Sequence, residues 1–472
     1  MACLLGLSGM LTGCAVPGRS APALVTLQAQ EVGLADASGL AVSDAWWRSW
    51  NDPSLNQLIE HTLQGSPSMA EALARVHRMQ ALSGMVDASS LPQVTLGAEF
   101  SRQRYSANGL FPPPIAGSTR NNDTLQAGVG WSPDLWGQHR AELASAVGQV
   151  RAAQADAAMA ANALVHQVVR GHVALARLLA QRDVVEQTLR QRQQMQQLVQ
   201  QRRQAGLDTR IDQAQADSTL ADTATQAQGL QEQITLARHQ LAALSGQAPQ
   251  ALAHWHPRLE ALTPDALPAT VGADLLGRRP DVVAARWRVQ ASQQDIQVAR
   301  TQFYPNVNLS AFAGFNALGM NHLLDAGSRQ YGVVPAIRLP LFDGGRLRAQ
   351  LSGREAEHDS AVANYNSVVL NAAKEAADAI GSSQSVQRQW TEQSRALADA
   401  ERAHALAQQR FEAGLGNRLA VLAAESSVLA QRRLAIDLQA RQLDNRANLM
   451  RALGGGWPGD AGAASNTHAS AR

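Results

Sequence analysis

The chain has 472 residues, a net charge of +2 and only 4% aromatic residues. That length would hold several ordinary domains, but so few rings in an Ala-, Gln-, Arg- and Leu-rich chain argue for long helices with narrow apolar seams rather than one globule. The near-zero charge, without basic blocks, gives no electrostatic case for a nucleic-acid partner.

The first element is a leader. "MACLLGLSGMLTGCAVPGRS" runs from apolar to small residues and then to Cys, like the end of a secretory signal. Leu11-Thr12-Gly13-Cys14 has the form of a bacterial lipobox, which makes Cys14 the expected lipidation site and 1–14 the signal. The usual basic n-region is missing, so the start is expected to lie too far downstream or to be clipped. Cys3 and Cys14 are the only cysteines, which excludes disulfides and Cys-based metal sites for the body of the protein. No apolar run reaches about 18 residues, so a membrane could be spanned only as a barrel.

After an N-terminal segment with a short helix (15–65), the chain is written twice. "QQRRQAGLDTRIDQAQADSTL" at 200–220 returns as "QQRFEAGLGNRLAVLAAESSV" at 408–428. Pro67 and Pro92 recur as Pro280 and Pro305, and "WSPDLWGQHRAEL" recurs as "IRLPLFDGGRLRAQL". A duplication of this size decides the fold. The spans are 66–250 for the first repeat, 251–272 for a linker, 273–453 for the second repeat and 454–472 for a disordered tail.

Each repeat reads in the same order. A helical segment (about 66–90 and 273–301) precedes two alternating stretches. Val94, Leu96, Ala98 and Phe100 share one face; so do Leu125, Ala127, Val129 and Trp131. Val307, Leu309, Ala311, Ala313 and Phe315 follow the same rule, as do Tyr331, Val333, Ile337 and Leu339. The opposite faces are small or polar, the pattern of a lipid-facing wall around water; a soluble sheet packed on one side is the other reading. Long helices follow (about 138–205 and 344–413), each roughly 100 Å. Shorter ones return (about 209–246 and 417–453). Leu164, Val168, Gly171, Leu175, Leu178, Arg182, Val185 and Leu189 keep coiled-coil spacing.

The repeated stretch is then the tip of a helical hairpin. Gly206 and Gly414 are expected just past the ends of the descending helices, and Thr209 and Asn417 at the starts of the ascending ones. Four strands cannot close a membrane barrel, so the chain must oligomerise. No Walker loop, HExxH or other catalytic constellation is present. His254 and His256 flank Trp255 in a Pro-rich linker, with no third metal ligand near in sequence. Neither cofactor nor metal is expected, and the chain is not read as an enzyme.

From "WWRSWNDPSLNQLI" at Trp46 to "RALGGGW" at Arg451 the chain resembles outer membrane efflux channels of the TolC superfamily, of the OprM and NodT lipoprotein type. "RRPDVVAARWRVQASQQDIQVARTQFYPNVNLSAFAG" and "LPLFDGGRLRAQL" carry the most specific likeness, nearest the branch linked to fusaric-acid and aromatic-compound resistance. The resemblance implies a mainly α chain with a small transmembrane β-barrel part. Long hairpins would form a periplasmic tunnel, and four strands per chain would enter a trimeric twelve-stranded barrel. It further implies a lipid-anchored homotrimer in the outer membrane, acting as passive exit duct of a tripartite pump for drugs or toxic aromatic compounds. Partners would be a periplasmic adaptor and an inner membrane pump, with docking at Gly206, Leu207, Gly414, Leu415 and Gly416. Asp212 matches the acidic position by which relatives gate the narrow end, while its repeat partner is Ala420. Clustered carboxylates there would raise one another's pKa. The competing role for Asp212 is a capping box with Thr209. The alternative for the whole chain is a soluble periplasmic coiled-coil adaptor or scaffold, which explains the hairpins but not four two-faced strands.

Overall fold

The computed structural model describes residues 22–33, 43, 45–262, 275–455 and 457. Cys14 with the 1–14 signal, the 263–272 part of the linker, the first two residues of the second repeat, and 456 and 458–472 of the expected tail lie outside them. The elements run α1 (Pro53–Gly65), α2 (Pro67–Ser89), β1 (Gln93–Arg104), β2 (Thr119–Trp131), α3 (Gln138–Gln204) and α4 (Arg210–Leu244). They continue with α5 (Leu275–Arg278), α6 (Pro280–Thr301), β3 (Asn306–Ala317), β4 (Arg329–Arg338), α7 (Arg346–Glu412) and α8 (Arg418–Ala452). Helices α3 and α7 are each 67 residues long and contain no proline, so nothing interrupts their hydrogen-bond ladders.

Two compact units divide the chain, with boundaries inside α2, α3, α6 and α7. One comprises Met1–Thr26, Arg75–Ala153 and Ala285–Tyr365, the other Leu27–Ala74, Gln154–Ala284 and Asn366–Arg472. Each therefore draws on both repeats.

The first unit holds an antiparallel sheet in the order β1-β2-β3-β4. Its register aligns the apolar residues of all four strands. Val94 faces Val129, which faces Ala311, which faces Val333. Leu96, Ala127, Ala313 and Tyr331 form the next row. The other face carries Gln126 hydrogen-bonded to Gln330 at 2.9 Å, and Asn316 donating to Thr124 Oγ1 at 2.7 Å. One large ring departs from the pattern: Phe312 is on the polar face. There it lies over Gly332, where an added Cβ would come within 2.9 Å of the ring. The β1–β2 ladder also runs past the apolar stretch, pairing Arg102, Gln103 and Arg104 with Asn121, Arg120 and Thr119. Backbone pairing needs no apolar side chain, so alternation alone under-reads these strands. On the helical side of this unit, Gly148 lets α3 approach α6, since a Cβ there would sit 3.1 Å from that of Ala291.

The second unit has the large core. Trp46 packs edge to face on Trp47 and Trp50, and the three join a core with Leu55 and Ile59 of α1, Val168, Val169 and Leu175 of α3, Ile234 and Leu241 of α4, and Leu443 and Ala447 of α8. Helix α4 ends at Gly246 (φ +71°), whose missing side chain leaves room for the Gly65 carbonyl. Helix α8 ends likewise: Gly455 N–H donates to the Met450 carbonyl and Gly454 N–H to that of Arg451. Gly454 and Gly455 are buried, and Asn162 donates to the Gly454 carbonyl at 2.7 Å. The expected tail from 454 thus begins with two packed capping residues.

The repeats differ in what they bury. Of α2 only Val76 is buried, while Leu73, Leu82 and Met85 are exposed. Its repeat partner α6 buries Val282, Val283, Ala284, Ala285, Ala291, Ile296 and Ala299. No helix among the described residues is long and apolar enough to cross a membrane.

Candidate functional site

The hairpin tips are built by helix-termination chemistry. At the first, Gly206 adopts φ +73° and donates to the Arg203 carbonyl, and Leu207 N–H donates to that of Arg202. At the second, Gly414 (φ +71°) donates to the Phe411 carbonyl and Leu415 N–H to that of Arg410. This is one motif used twice, in which glycine supplies the left-handed residue and the following amide reaches back five positions. Leu207 and Leu415 are left 68% and 72% exposed.

The ascending helices start on caps. Thr209 Oγ1 accepts from the amides of Ile211 and Asp212, and Asp212 Oδ2 accepts from Thr209 N at 2.8 Å, a reciprocal capping box. Asn417 Oδ1 accepts from Ala420 N at 2.8 Å. Within one chain, hydrogen bonds from the Thr209 hydroxyl and amide hold the exposed Asp212 carboxyl below its ordinary range. That is the reverse of the direction expected from clustered like charges. The box accounts for it, since both partner groups donate to the ionised form.

The tips are not equivalent. Arg202 clamps the first with two 2.9 Å hydrogen bonds to Asp208. The corresponding residues of the second are Arg410 and Gly416, so no clamp exists. Gly416 instead packs against the backbone of Phe411 at the helix end, and the Arg418 guanidinium lies 5.9 Å from the Phe411 ring centre. Near the tips α3 and α8 join through Gln191, which is buried and donates to the Leu422 carbonyl and to Ser426 Oγ.

Sequence reading missed the polar knot that fastens the second unit. His172 in mid-α3 is 0% exposed; its Nε2 lies 2.9 Å from Asp52 Oδ2, and its Nδ1 is 3.3 Å from the indole N–H of Trp255. An indole nitrogen only donates, so Nδ1 accepts and Nε2–H faces the carboxylate. Burial alone would raise the Asp52 pKa, but hydrogen bonds from His172 and Ser54 outweigh it and hold the carboxyl far below its ordinary range. Trp255 of the His-Trp-His stretch is thus a packing residue. Its carbonyl also accepts from Arg238. A second knot centres on buried Arg279, paired with Asp281 at 2.6 Å and Glu375 at 2.9 Å. No cluster of three or more metal-ligating side chains occurs among the described residues.

Two-faced strands exposing their apolar face, together with long helical hairpins, define a class of membrane duct proteins. The chain belongs to the outer membrane efflux protein family, whose model matches residues 58–247 and 271–455. It is 31% identical over 96% of both chains to the multidrug resistance outer membrane protein MdtP of Shigella flexneri. To the fusaric acid resistance protein FusA of Burkholderia cepacia it is 36% identical, over 75% of this chain and 68% of that one. The crystal structure of the outer membrane protein VceC from Vibrio cholerae superposes with a TM-score of 0.81 at 35% identity, covering 89% of this chain and all of that one. The protein is an outer membrane efflux channel of the TolC superfamily. A free-standing soluble adaptor is not favoured.

Proposed function

We propose that three copies close their sheets into one twelve-stranded barrel, held by a lipid on Cys14, to form the exit duct of a tripartite pump. The tips at Gly206, Leu207, Gly414, Leu415 and Gly416 dock on a periplasmic adaptor that couples the duct to an inner membrane pump. The cargo is drug-like or aromatic, in keeping with the resistance named for MdtP and FusA. The observation that carries this is the sheet: among the described residues β1 and β4 each pair on one side only, while the apolar face is exposed. Open edges are not tolerated in a bilayer, and three times four strands gives a closed barrel of ordinary size. The exposed apolar side of α2 supports the same assembly, because its repeat partner is buried within the chain.

Native mass spectrometry of the full-length protein extracted from outer membranes is expected to show three chains, each carrying lipid mass on Cys14. A monomer, or three chains without acyl mass at Cys14, sinks the corresponding part of the proposal.

Asp212 forms the gate ring at the narrow end of the duct, one carboxylate per chain. Asn at 212 keeps an oxygen to accept from Thr209 but loses the charge. In planar bilayers, Asp212→Asn is expected to raise the half-blocking concentration of a trivalent cation, added from the tip side, at least about tenfold. Unchanged block would make Asp212 a helix cap alone.

A further inference from the structure

Three corners at one end of the sheet meet in the first unit: 131–138 after β2, 301–306 before β3 and 338–346 after β4. Because β2, β3 and β4 are neighbours, these corners lie side by side and enclose a cavity of about 350 Å³. Its walls are pinned. Trp136 stacks on Tyr304 with ring centres 5.2 Å apart, and its indole N–H donates to the Pro305 carbonyl at 2.7 Å. Ser132 Oγ donates to the Val307 carbonyl at 3.2 Å.

The charges around this cavity are of both signs and largely unspent. The Arg338 side chain makes no ion pair or hydrogen bond among the described residues, and that of Arg346 has a 3.5 Å contact with Gln350 and a longer-range attraction to the Asp343 carboxylate. The nearby acid, Asp343, is used in capping α7 through the amides of Gly345 and Leu347. Asp134 accepts from the Arg140 amide through Oδ2 at 3.1 Å, while its Oδ1 has no partner. Beside the cavity, Leu341 and Phe342 are 90% and 92% exposed. The cavity takes Val307 from the apolar face of the sheet and Asn306 and Arg338 from the polar face, so it straddles the end of the membrane wall.

We propose that this cavity is a headgroup site for an amine-bearing phospholipid of the leaflet on the helical side of the sheet, an inference that rests on the outer membrane location. Arg338 and Arg346 hold the phosphate, Asp134 takes the primary ammonium beside the Trp136 ring, and Leu341 and Phe342 lie along an acyl chain. The pairing of charges selects the ligand. A free phosphate or a purely anionic lipid brings no cation to the Asp134 carboxylate, and a quaternary ammonium has no N–H to give it.

The test is a titration of the detergent-extracted full-length assembly with phosphatidylethanolamine, phosphatidylglycerol and phosphatidylcholine of identical acyl chains, read by native mass spectrometry. Phosphatidylethanolamine is expected to bind at least about tenfold more tightly than the other two. Arg338→Gln with Arg346→Gln should lower its binding at least about tenfold. Asp134→Asn, which can still accept from the Arg140 amide, should reduce it to the phosphatidylcholine level. Equal binding of the three lipids overturns the proposal, as does full selectivity in Asp134→Asn. Displacement of the lipid by millimolar inorganic phosphate would make this an anion site rather than a lipid site. Should Asp134→Asn fail to assemble, the exposed Arg338→Gln alone decides the matter by keeping or losing lipid. Failure of the outer membrane location would show separately, as loss from the outer membrane fraction.

Discussion

Aspartate in place of both Leu207 and Leu415 is expected to reduce drug export to the level of a strain lacking the gene, while the oligomer still forms and still inserts. Each leucine is largely exposed, and it enters the hydrogen bonding of its turn through its backbone amide alone. The side chains therefore contribute little to the fold and are free to be buried by a partner. Fully burying one leucine is worth about 2 kcal/mol, or roughly thirtyfold in affinity, and a charge adds a desolvation cost to the loss. The proposed trimer would present six tips, so the loss would compound across them. The competing view is that the tips only terminate helices. Gly206→Ala and Gly414→Ala separate the two, because a Cβ at either position meets nothing within 4 Å and the cost is the left-handed backbone alone, about 1 kcal/mol. The glycine variants should retain export and the leucine double variant should not. Unchanged drug tolerance in the leucine double variant would remove the tips as the docking surface.

Asp52→Ala is expected to destabilise the second unit by about 2 to 4 kcal/mol at neutral pH. The side chain caps α1 through the amides of Ser54 and Leu55, and it is the acceptor for the buried His172 Nε2–H. Its removal loses the cap and strands a buried donor. Asp52→Asn should cost less, since the amide oxygen can still accept. The pH dependence follows from the depressed pKa of Asp52 in the folded chain. A carboxyl ionised more readily when folded contributes stability that is complete above its unfolded pKa of about 4 and lost as pH falls toward the folded value. Guanidinium unfolding should therefore separate wild type and Asp52→Ala widely at pH 7. Below about pH 4 the gap should narrow. A gap that does not change with pH would mean that Asp52 acts through packing and not through its charge.

The local layers of this molecule are legible in its sequence because their causes are local. A glycine at the end of an Ala- and Gln-rich run marks a left-handed stop, and Thr209 and Asn417 mark the next starts, so the expected ends of α3, α4, α7 and α8 lie within a few residues of those observed. Period-two alternation placed the apolar rows of all four strands on one face, and the duplication supplied their order. Alternation missed the polar ends of β1 and β2, which are held by backbone pairing alone, and Phe312, which packs on a glycine of the neighbouring strand. The linker histidines carried no signal for what Trp255 does, because its partner His172 is 83 residues away and Asp52 a further 120 from that histidine.

Sequence by itself determined the duplicated hairpin plan and the two-faced strands, since each rests on periodicity or caps. Tertiary structure alone decided that α6 is buried while its repeat partner α2 is exposed. It also decided that corners from both repeats enclose one charged cavity. Those outcomes depend on which distant side chains share a small volume, and chain periodicity carries no information about that.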